Sequence, residues 1–461
     1  TDQCLRLAKV VRLGVAFHHS GLVQKQKGII EESYRKGYIK CICATTTLAY
    51  GMNLPCDFVF MRDVKRFYGG RGSDYIPVLE YKQCVGRSGR VKYCSEGRSV
   101  IIGKSSSDVN KYRERFIDGE VENIDSKLGV ETALRMHVLS LISSGTVVDI
   151  DSLRSFFGNT FYAFQYGDLS ELLSKVERVV EMLVGFGFLK VNGKDMYVTA
   201  VGRRVSELYI DPVSADMFVR SINLDMKLVD EDRGFALESV VKDDLDFVSA
   251  DKLSGRLEVF PFSFLQMICF SMEMMPRLSV KKSEEKYYDV VLEAVRENIM
   301  IDVPSVWSYE WVGFIDSVKT GAMLKEWIEE ASEKELQDKY KVTPGELKVK
   351  LDNAEWLLFS VEEFSRLCGK EDLCSFIGKL RCRLKNGIKG ELVELVKIKG
   401  VGRVKSRKMF DSGLRSLKDI YGCDPLVLAK LVGEKSAEKI KKDLGVDISA
   451  DLKKQKSLDC F

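Results

Sequence analysis

Histidine is scarce in this sequence, with three in 461 residues (His18, His19 and His137), and the twelve cysteines include no C-x-x-C pair. A zinc site of the usual ligand spacing is therefore not expected. No stretch approaches the roughly 20 uncharged apolar residues that a membrane-spanning helix needs. Thr1–Arg12 lacks the charged-then-apolar layout of a secretory signal. Without an export signal, the scattered cysteines point to a reducing, intracellular compartment and read as small buried apolar residues. Cys41 and Cys43 are the closest pair, and strand alternation sends both to one face. The first residue is not Met, so the chain is expected to be cut from something longer.

A phosphate loop is also lacking. The segment GRSVIIGKS at 97–105 has five residues between its glycines rather than four. Its Val100–Ile102 run reads as a strand, whereas a phosphate loop follows its strand and opens a helix. Asp230-Glu231 is an acidic pair in a helical region with no phosphate loop to serve. The chain by itself is not expected to hydrolyse ATP.

What is present is ordinary in bulk and uneven in placement. With 45% hydrophobic and 30% charged residues the composition is globular, and the length suggests three or four domains of about 100–200 residues. The net charge of +3 hides a basic stretch, Lys379–Lys408, in which eleven Lys or Arg stand beside two acids, Glu391 and Glu394. Such a cluster is either a solvated face or a nucleic-acid surface.

The first hundred residues alternate β-rich runs (Leu13–Phe17, Ile39–Ala44, Phe58–Arg62, Ser99–Ile102) with helical stretches such as Gln24–Lys36. That alternation predicts a parallel sheet. Helical patterns at Lys127–Ser143 and Ser170–Phe186 precede Phe188–Thr199, where Asn192-Gly193 suits a hairpin turn. Helices ending in a β-ribbon resemble a winged helix. From Val201 to about Lys385 the pattern is nearly all helix.

Two segments carry specific chemistry. In ATTTLAYGMNLP (Ala44–Pro55) a strand runs into hydroxyls, a glycine and an asparagine, groups suited to holding phosphates. In YKQCVGRSGR (Tyr81–Arg90), a helix would align Gln83, Arg87 and Arg90 on one face. Guanidiniums so placed can neutralise charge on a transferred phosphoryl group; the plainer reading is a surface helix with salt-bridging arginines.

These segments, with AFHHSGL (Ala16–Leu22), RDVKRF (Arg62–Phe67) and YIPVLEYKQ (Tyr75–Gln83), resemble superfamily 2 helicases. The match is to the archaeal fork-repair DNA helicases, whose relatives include the helicase region of DNA polymerase theta. The resemblance implies an α/β, N-terminally incomplete second RecA-like domain (1–110). It also implies a winged helix (111–200), an all-helical ratchet domain (201–388) and a helix-hairpin-helix domain (389–461). It assigns Thr45, Thr47, Gly51 and Asn53 to the motif coupling the nucleic-acid track to the ATP site. Gln83, Arg87 and Arg90 would face the phosphates of ATP, whose Mg2+ is held mainly by the first RecA-like domain. Segment Lys65–Pro77 matches the hairpin that parts the duplex, where Phe67 or Tyr68 could stack on the last base pair or be buried instead.

Farther on, Thr343 and Pro344 start a helix that Gly369 can end. Its seam of Leu347, Leu351, Ala354, Leu358 and Val361 leaves Trp356 nearly opposite, beside Val349, Asn353 and Ser360. In the family the corresponding helix lines a channel where an aromatic stacks on single-stranded bases; packing against a neighbouring domain is the alternative for Trp356. Lys348 and Lys350 flank Val349 where the family often has adjacent basic residues. The tail at 391–410 reads helix, I-x-G-x-G, helix, presenting amides near Gly400 and Gly402 to a phosphate. Arg403, Lys405, Arg407 and Lys408 would add charge. A second, degraded hairpin is placed at Leu431–Lys441 around Gly433.

The expected function is therefore part of an ATP-dependent 3′ to 5′ DNA helicase acting on single-stranded, forked or branched DNA in repair. It would be completed by a motor half in cis or in trans. The rivals are an RNA-remodelling helicase of the same superfamily and a non-catalytic DNA-binding subunit.

Overall fold

The computed structural model describes residues 2–19, 21–49, 54–68, 72–89, 96–229 and 257–443. The chain divides into two compact units, Thr1–Asp125 with Pro344–Lys348, and Ser126–Thr343 with Val349–Phe461.

In the first unit, α1 (Asp2–Val11), β1 (Val15–His18), α2 (Gln24–Arg35) and β2 (Cys41–Ala44) form a β-α-β motif. β1 and β2 pair in parallel, from Val15 opposite Cys41 to His18 opposite Ala44. Leu7, Ala16, Leu22, Ile30 and Ile39 make its core. A 3-10 turn at Thr46–Ala49 follows β2 directly. Next come β3 (Phe58–Met61), the antiparallel hairpin of β4 (Lys65–Tyr68) and β5 (Gly72–Tyr75), α3 (Val78–Val85) and β6 (Arg98–Ile101). β3 and β6 pair in parallel. The four strands expected from the apolar runs are all present in parallel pairs.

α4 (Ser106–Tyr112) is capped by Ser105 and runs into a single π turn at Arg113–Ile117. That turn buries Phe116 completely against Met61, Val64, Ile76, Val78, Tyr81 and Cys84. The unit therefore continues past the expected boundary at 110, because Phe116 belongs to its core. Tyr75 at the hairpin's base lies edge-on to Phe116, with Lys65 above the Tyr75 ring at 4.8 Å.

The second unit opens with α5 (Glu131–Ser143), α6 (Ile150–Gly158), α7 (Phe161–Tyr166) and α8 (Ser170–Gly185). The hairpin of β7 (Leu189–Asn192) and β8 (Asp195–Val198) follows. Because Asn192 pairs with Asp195, the turn is Gly193–Lys194, one residue later than the Asn-Gly reading. Gly193 takes the positive φ of 62° at the first corner, which two-residue turns with glycine first require.

α9 (Ala200–Leu208) and α10 (Pro212–Ile222) lead to a short parallel pair, β9 (Met226–Leu228) and β10 (Leu257–Val259). This pair was not legible, since each strand is three residues long and the two lie far apart in sequence. The helices α11 (Pro261–Phe270), α12 (Glu285–Val295), α13 (Glu310–Ile328), α14 (Glu333–Tyr340), α15 (Pro344–Leu367) and α16 (Glu371–Asn386) follow. α11 and α13 approach closely at Gly321, where an added Cβ would stand 3.2 Å from the Gln266 Cα.

The last elements are α17 (Val393–Val396), α18 (Arg403–Asp411), α19 (Leu417–Gly422), α20 (Pro425–Val432) and α21 (Glu434–Asp443). They enclose their own core of Leu392, Leu395, Met409, Ile420, Leu428, Ala437 and Ile440. Lys441 is buried, donating to the Tyr421 and Cys423 carbonyls at 2.8 and 2.7 Å. It thereby satisfies acceptors at the end of α19.

Among the described cysteines only Cys84 and Cys269 are buried, and Cys4, Cys41 and Cys43 are exposed. The expectation of buried cysteines therefore fails for most. The Cys41 and Cys43 thiols do share one face and hydrogen-bond each other. Among the described residues, no helix is long and apolar enough to cross a membrane.

Candidate functional site

In the first unit, α3 ends at Val85 with Gly86 as its cap. Arg87 follows the helix, so Gln83 and Arg87 do not share the expected helical face. The backbone explains it. Cys56 N–H donates to the Arg87 carbonyl at 3.1 Å and Gly89 N–H donates to the Cys56 carbonyl at 3.3 Å. Together they make a parallel bridge between Cys56 and Ser88, which an extended chain can form and a helix cannot. Gln83 remains exposed on the helix and Arg87 is half-buried just beyond it.

That bridge places the arginine segment beside the chain leaving Ala44–Pro55. Thr45 itself donates its N–H to the His18 carbonyl, joining the end of β1. Of the other residues assigned there, the Thr47 side chain, Gly51 and Asn53 lie outside the described residues, as do Arg90 and the side chains of Phe67 and Tyr68.

Two groups that the sequence reading passed over hold this region. Arg66 on β4 donates to the Thr46 Oγ1 at 2.6 Å and to the carboxylate of Glu80, which is buried on α3. Glu122 accepts from the Val78 and Leu79 amides at 2.6 and 3.1 Å. It thus fills two of the donors left open at the start of α3. Desolvation, the largest influence, works against it, yet the amides of Val78, Glu122 and Leu79 hold the Glu122 carboxyl below its ordinary range. Arg66 and Glu80 lay within quoted motifs. Glu122, far along the chain, left no local signal.

α15 spans 344–367 as the caps predicted, with Val349 onward in the second unit. The face opposite its seam is not free. Leu357, Ser360, Phe364 and Lys350 are buried along with Leu347, Ala354, Leu358 and Val361. The Lys350 ammonium donates to the Pro276 carbonyl at 2.6 Å, so it holds the fold and is not open to a phosphate. Lys348 is exposed. Trp356 is half-buried, its indole N–H donating to the Leu208 carbonyl at 3.1 Å. Asn353 donates to the Glu273 carbonyl at 2.9 Å. Glu273 in turn accepts from the Asp211 amide and the Ser214 hydroxyl, each at 2.8 Å. Asp211 closes a two-point ion pair with Arg135, at 2.7 and 2.8 Å. One polar chain thus joins α5, α10 and α15.

The tail sorts its basic residues by type. Arg403 donates to the Ala331 carbonyl and lies 5.1 Å over the Trp327 ring. Arg407 is held by Glu330, Glu391 and Asp411 at 2.5, 2.8 and 3.3 Å. Arg381 and Arg383 likewise bind Glu362, Glu355 and Glu329. These planar forks suit internal acceptors. Arg403 and Arg407, expected to contact DNA, are thus bonded within the fold and brace it. Lys405, half-buried, bonds the Gly400 carbonyl and the Ser436 hydroxyl at 3.1 and 2.9 Å. Lys408 faces outward, as do Lys385, Lys389 and Lys399. Ile398 and Val401 are buried while Gly400 and Gly402 are exposed, so the turn shows its glycines to solvent.

The architecture and these sites define the class. Residues 2–92 match the helicase conserved C-terminal domain, 262–387 the archaeal helicase domain 4, and 392–445 a SAM-like helix-hairpin-helix tandem. The tandem includes the second hairpin expected around Gly433. This is the domain series of a superfamily 2 helicase from its conserved C-terminal domain onward.

Within that class the chain belongs to the archaeal Hel308-like helicases. It is 32% identical to the ATP-dependent DNA helicase Hel308 of Methanococcus vannielii, over 97% of this chain and 59% of the relative. Identity to the Hel308 helicases of Methanocella arvoryzae and Pyrobaculum calidifontis is 32% and 33%, covering 96% and 94% of this chain and 56% of each relative. The chain thus spans a little over half the length of the curated relatives it matches.

Proposed function

We propose that this chain forms the DNA-gripping and arginine-bearing part of an ATP-dependent DNA helicase that moves 3′ to 5′ on forked or branched DNA during repair. The observation that carries the reading is the co-linear series of helicase C-terminal domain, domain 4 and helix-hairpin-helix tandem. Relatives matched along nearly the whole chain are named ATP-dependent DNA helicases.

Each part has a task. Gln83, Arg87 and Arg90 face the nucleotide from this side, where guanidiniums stabilise charge on the transferred phosphoryl group. The donor set fits ATP in this half-site only, since it offers cations, the sequence has no phosphate loop, and no acidic cluster able to hold Mg2+ stands among the described residues. Thr45, Thr47, Gly51 and Asn53 relay between that site and the track. The Lys65–Pro77 hairpin parts the duplex with Phe67 or Tyr68. The winged helix of 111–200, with four helices and a β-ribbon at 131–198, acts as a brace, followed by the ratchet and hairpin domains. Trp356 and Lys348 contact the single strand along α15. Gly400 and Gly402, with Lys405 and Lys408, bind phosphates without regard to base. The compartment is intracellular and reducing.

The test compares forked DNA with forked RNA as substrates for the chain, alone and together with an ATP-binding motor half. The expected outcome is DNA binding by the chain alone, and ATP-driven unwinding of DNA only when the two are combined. ATP turnover at a normal helicase rate by the chain alone would overturn the division of labour. Preferential unwinding of RNA would support the RNA-remodelling reading instead.

A further inference from the structure

Arg66 touches three elements at once. It stands on β4, in the hairpin. Its guanidinium reaches Thr46, in the 3-10 turn of the Ala44–Pro55 segment, and Glu80 on α3, the helix that leads into Arg87. Glu80 is buried, so its charge needs this partner. One turn along α3, Cys84 lies within the electrostatic reach of Glu80, Arg87 and Arg66 together. The hairpin strand, the coupling turn and the helix that leads into Arg87 therefore meet at one side chain.

We propose that Arg66, locked by Glu80 and Thr46, is the positioning residue that links motion at the nucleotide-facing arginines to the duplex-parting hairpin. The inference rests on the reading of Lys65–Pro77 as that hairpin. The physical basis is stiffness. Both bonds leave the one Nη2, so a single nitrogen of a rigid, planar group couples Thr46 to Glu80, whereas a lysine would supply a point charge on a flexible stem. The hairpin base is firm by other means, through Tyr75 against Phe116. A displacement of α3 thus reaches β4 through Arg66 without being absorbed by a loose strand. The parallel bridge from Cys56 to Ser88 ties the arginine segment through the backbone to the chain just past Pro55, and Ile76 and Val78 join the hairpin to α3 in one core, so losing Arg66 should loosen the hairpin's coupling while leaving the arginine segment in place.

The experiment uses the chain combined with its ATP-binding half, comparing the parent with Arg66→Lys, Arg66→Met and Thr46→Val. Two rates are measured on forked DNA, strand separation and DNA-stimulated ATP hydrolysis. Arg66→Met should reduce strand separation by about tenfold with hydrolysis changed by less than about threefold. Arg66→Lys and Thr46→Val should fall between. A lesion that merely unfolds the unit lowers both rates together, and that outcome, like unchanged base pairs opened per ATP, overturns the proposal. A second measurement needs no activity: hydrogen exchange in the chain alone. Arg66→Met should raise exchange in Thr46–Ala49, Lys65–Tyr68, Gly72–Tyr75 and Val78–Val85 together. A rise confined to the hairpin also overturns the link. If the parent combination fails to unwind DNA, the functional reading falls while the exchange experiment still judges the three-way contact.

Discussion

Arg407 and Lys408 are adjacent in sequence, carry the same charge and lie in the same helix, yet the structure assigns them opposite work. Arg407 is 28% exposed and bonded to Glu330, Glu391 and Asp411, with Glu330 itself only 16% exposed. Replacing it by alanine strands Glu330 in a partly desolvated place. Charge-assisted hydrogen bonds contribute about 1.5–3 kcal/mol, and bonds sharing one guanidinium do not add. The expected loss is about 2 kcal/mol, or roughly 3 °C in melting temperature for a unit of this size. Lys408 is exposed, and Lys408→Ala should leave the melting temperature unchanged. Its effect should appear in DNA binding, where each lost phosphate contact lowers the slope of log Kd against log salt by about 0.9 on duplex and 0.7 on single strands. The assay is thermal unfolding of both variants beside a salt titration of DNA affinity. Arg407→Ala that lowers the salt slope without lowering the melting temperature would refute the assignment.

Other consequences are as concrete. Asp211→Ala leaves the Arg135 guanidinium, 11% exposed, without its two-point partner, so unfolding should reveal a loss of about 3–5 kcal/mol; a loss under about 1 kcal/mol would contradict the linked polar chain. Trp356→Phe deletes the bond to Leu208 and should cost about 1 kcal/mol in stability while sparing base stacking. Trp356→Ala should in addition weaken single-strand binding by about 1–3 kcal/mol, measured by fluorescence anisotropy, if the ring meets a base. Because the Glu122 carboxyl is held below its ordinary value of 4.5, its contribution is complete above about pH 4.5 and is lost as the pH falls through the lowered folded value. Glu122→Gln should therefore flatten the acid limb of the melting-temperature curve, and an unaltered limb would show that the cap on α3 contributes nothing.

Local chemistry alone determined a good deal. Period and caps predicted α15 and the four parallel strands because these depend on neighbours a few residues apart. The motif order between Ala16 and Arg90 pointed to the helicase class, and the I-x-G-x-G turn pointed to a helix hairpin. Tertiary structure decided the rest, for one recurring reason: a side chain's role depends on what reaches it from far along the chain. Lys350 looked available until Pro276 arrived at its ammonium. Arg87 looked helical until Cys56 drew its backbone into a bridge. The basic tail looked like a uniform field of charge until Glu330 and the Ala331 carbonyl claimed its arginines. Composition can count charges, but only the folded chain decides which of them remain free to meet a phosphate, because desolvation and pairing are properties of three-dimensional neighbours.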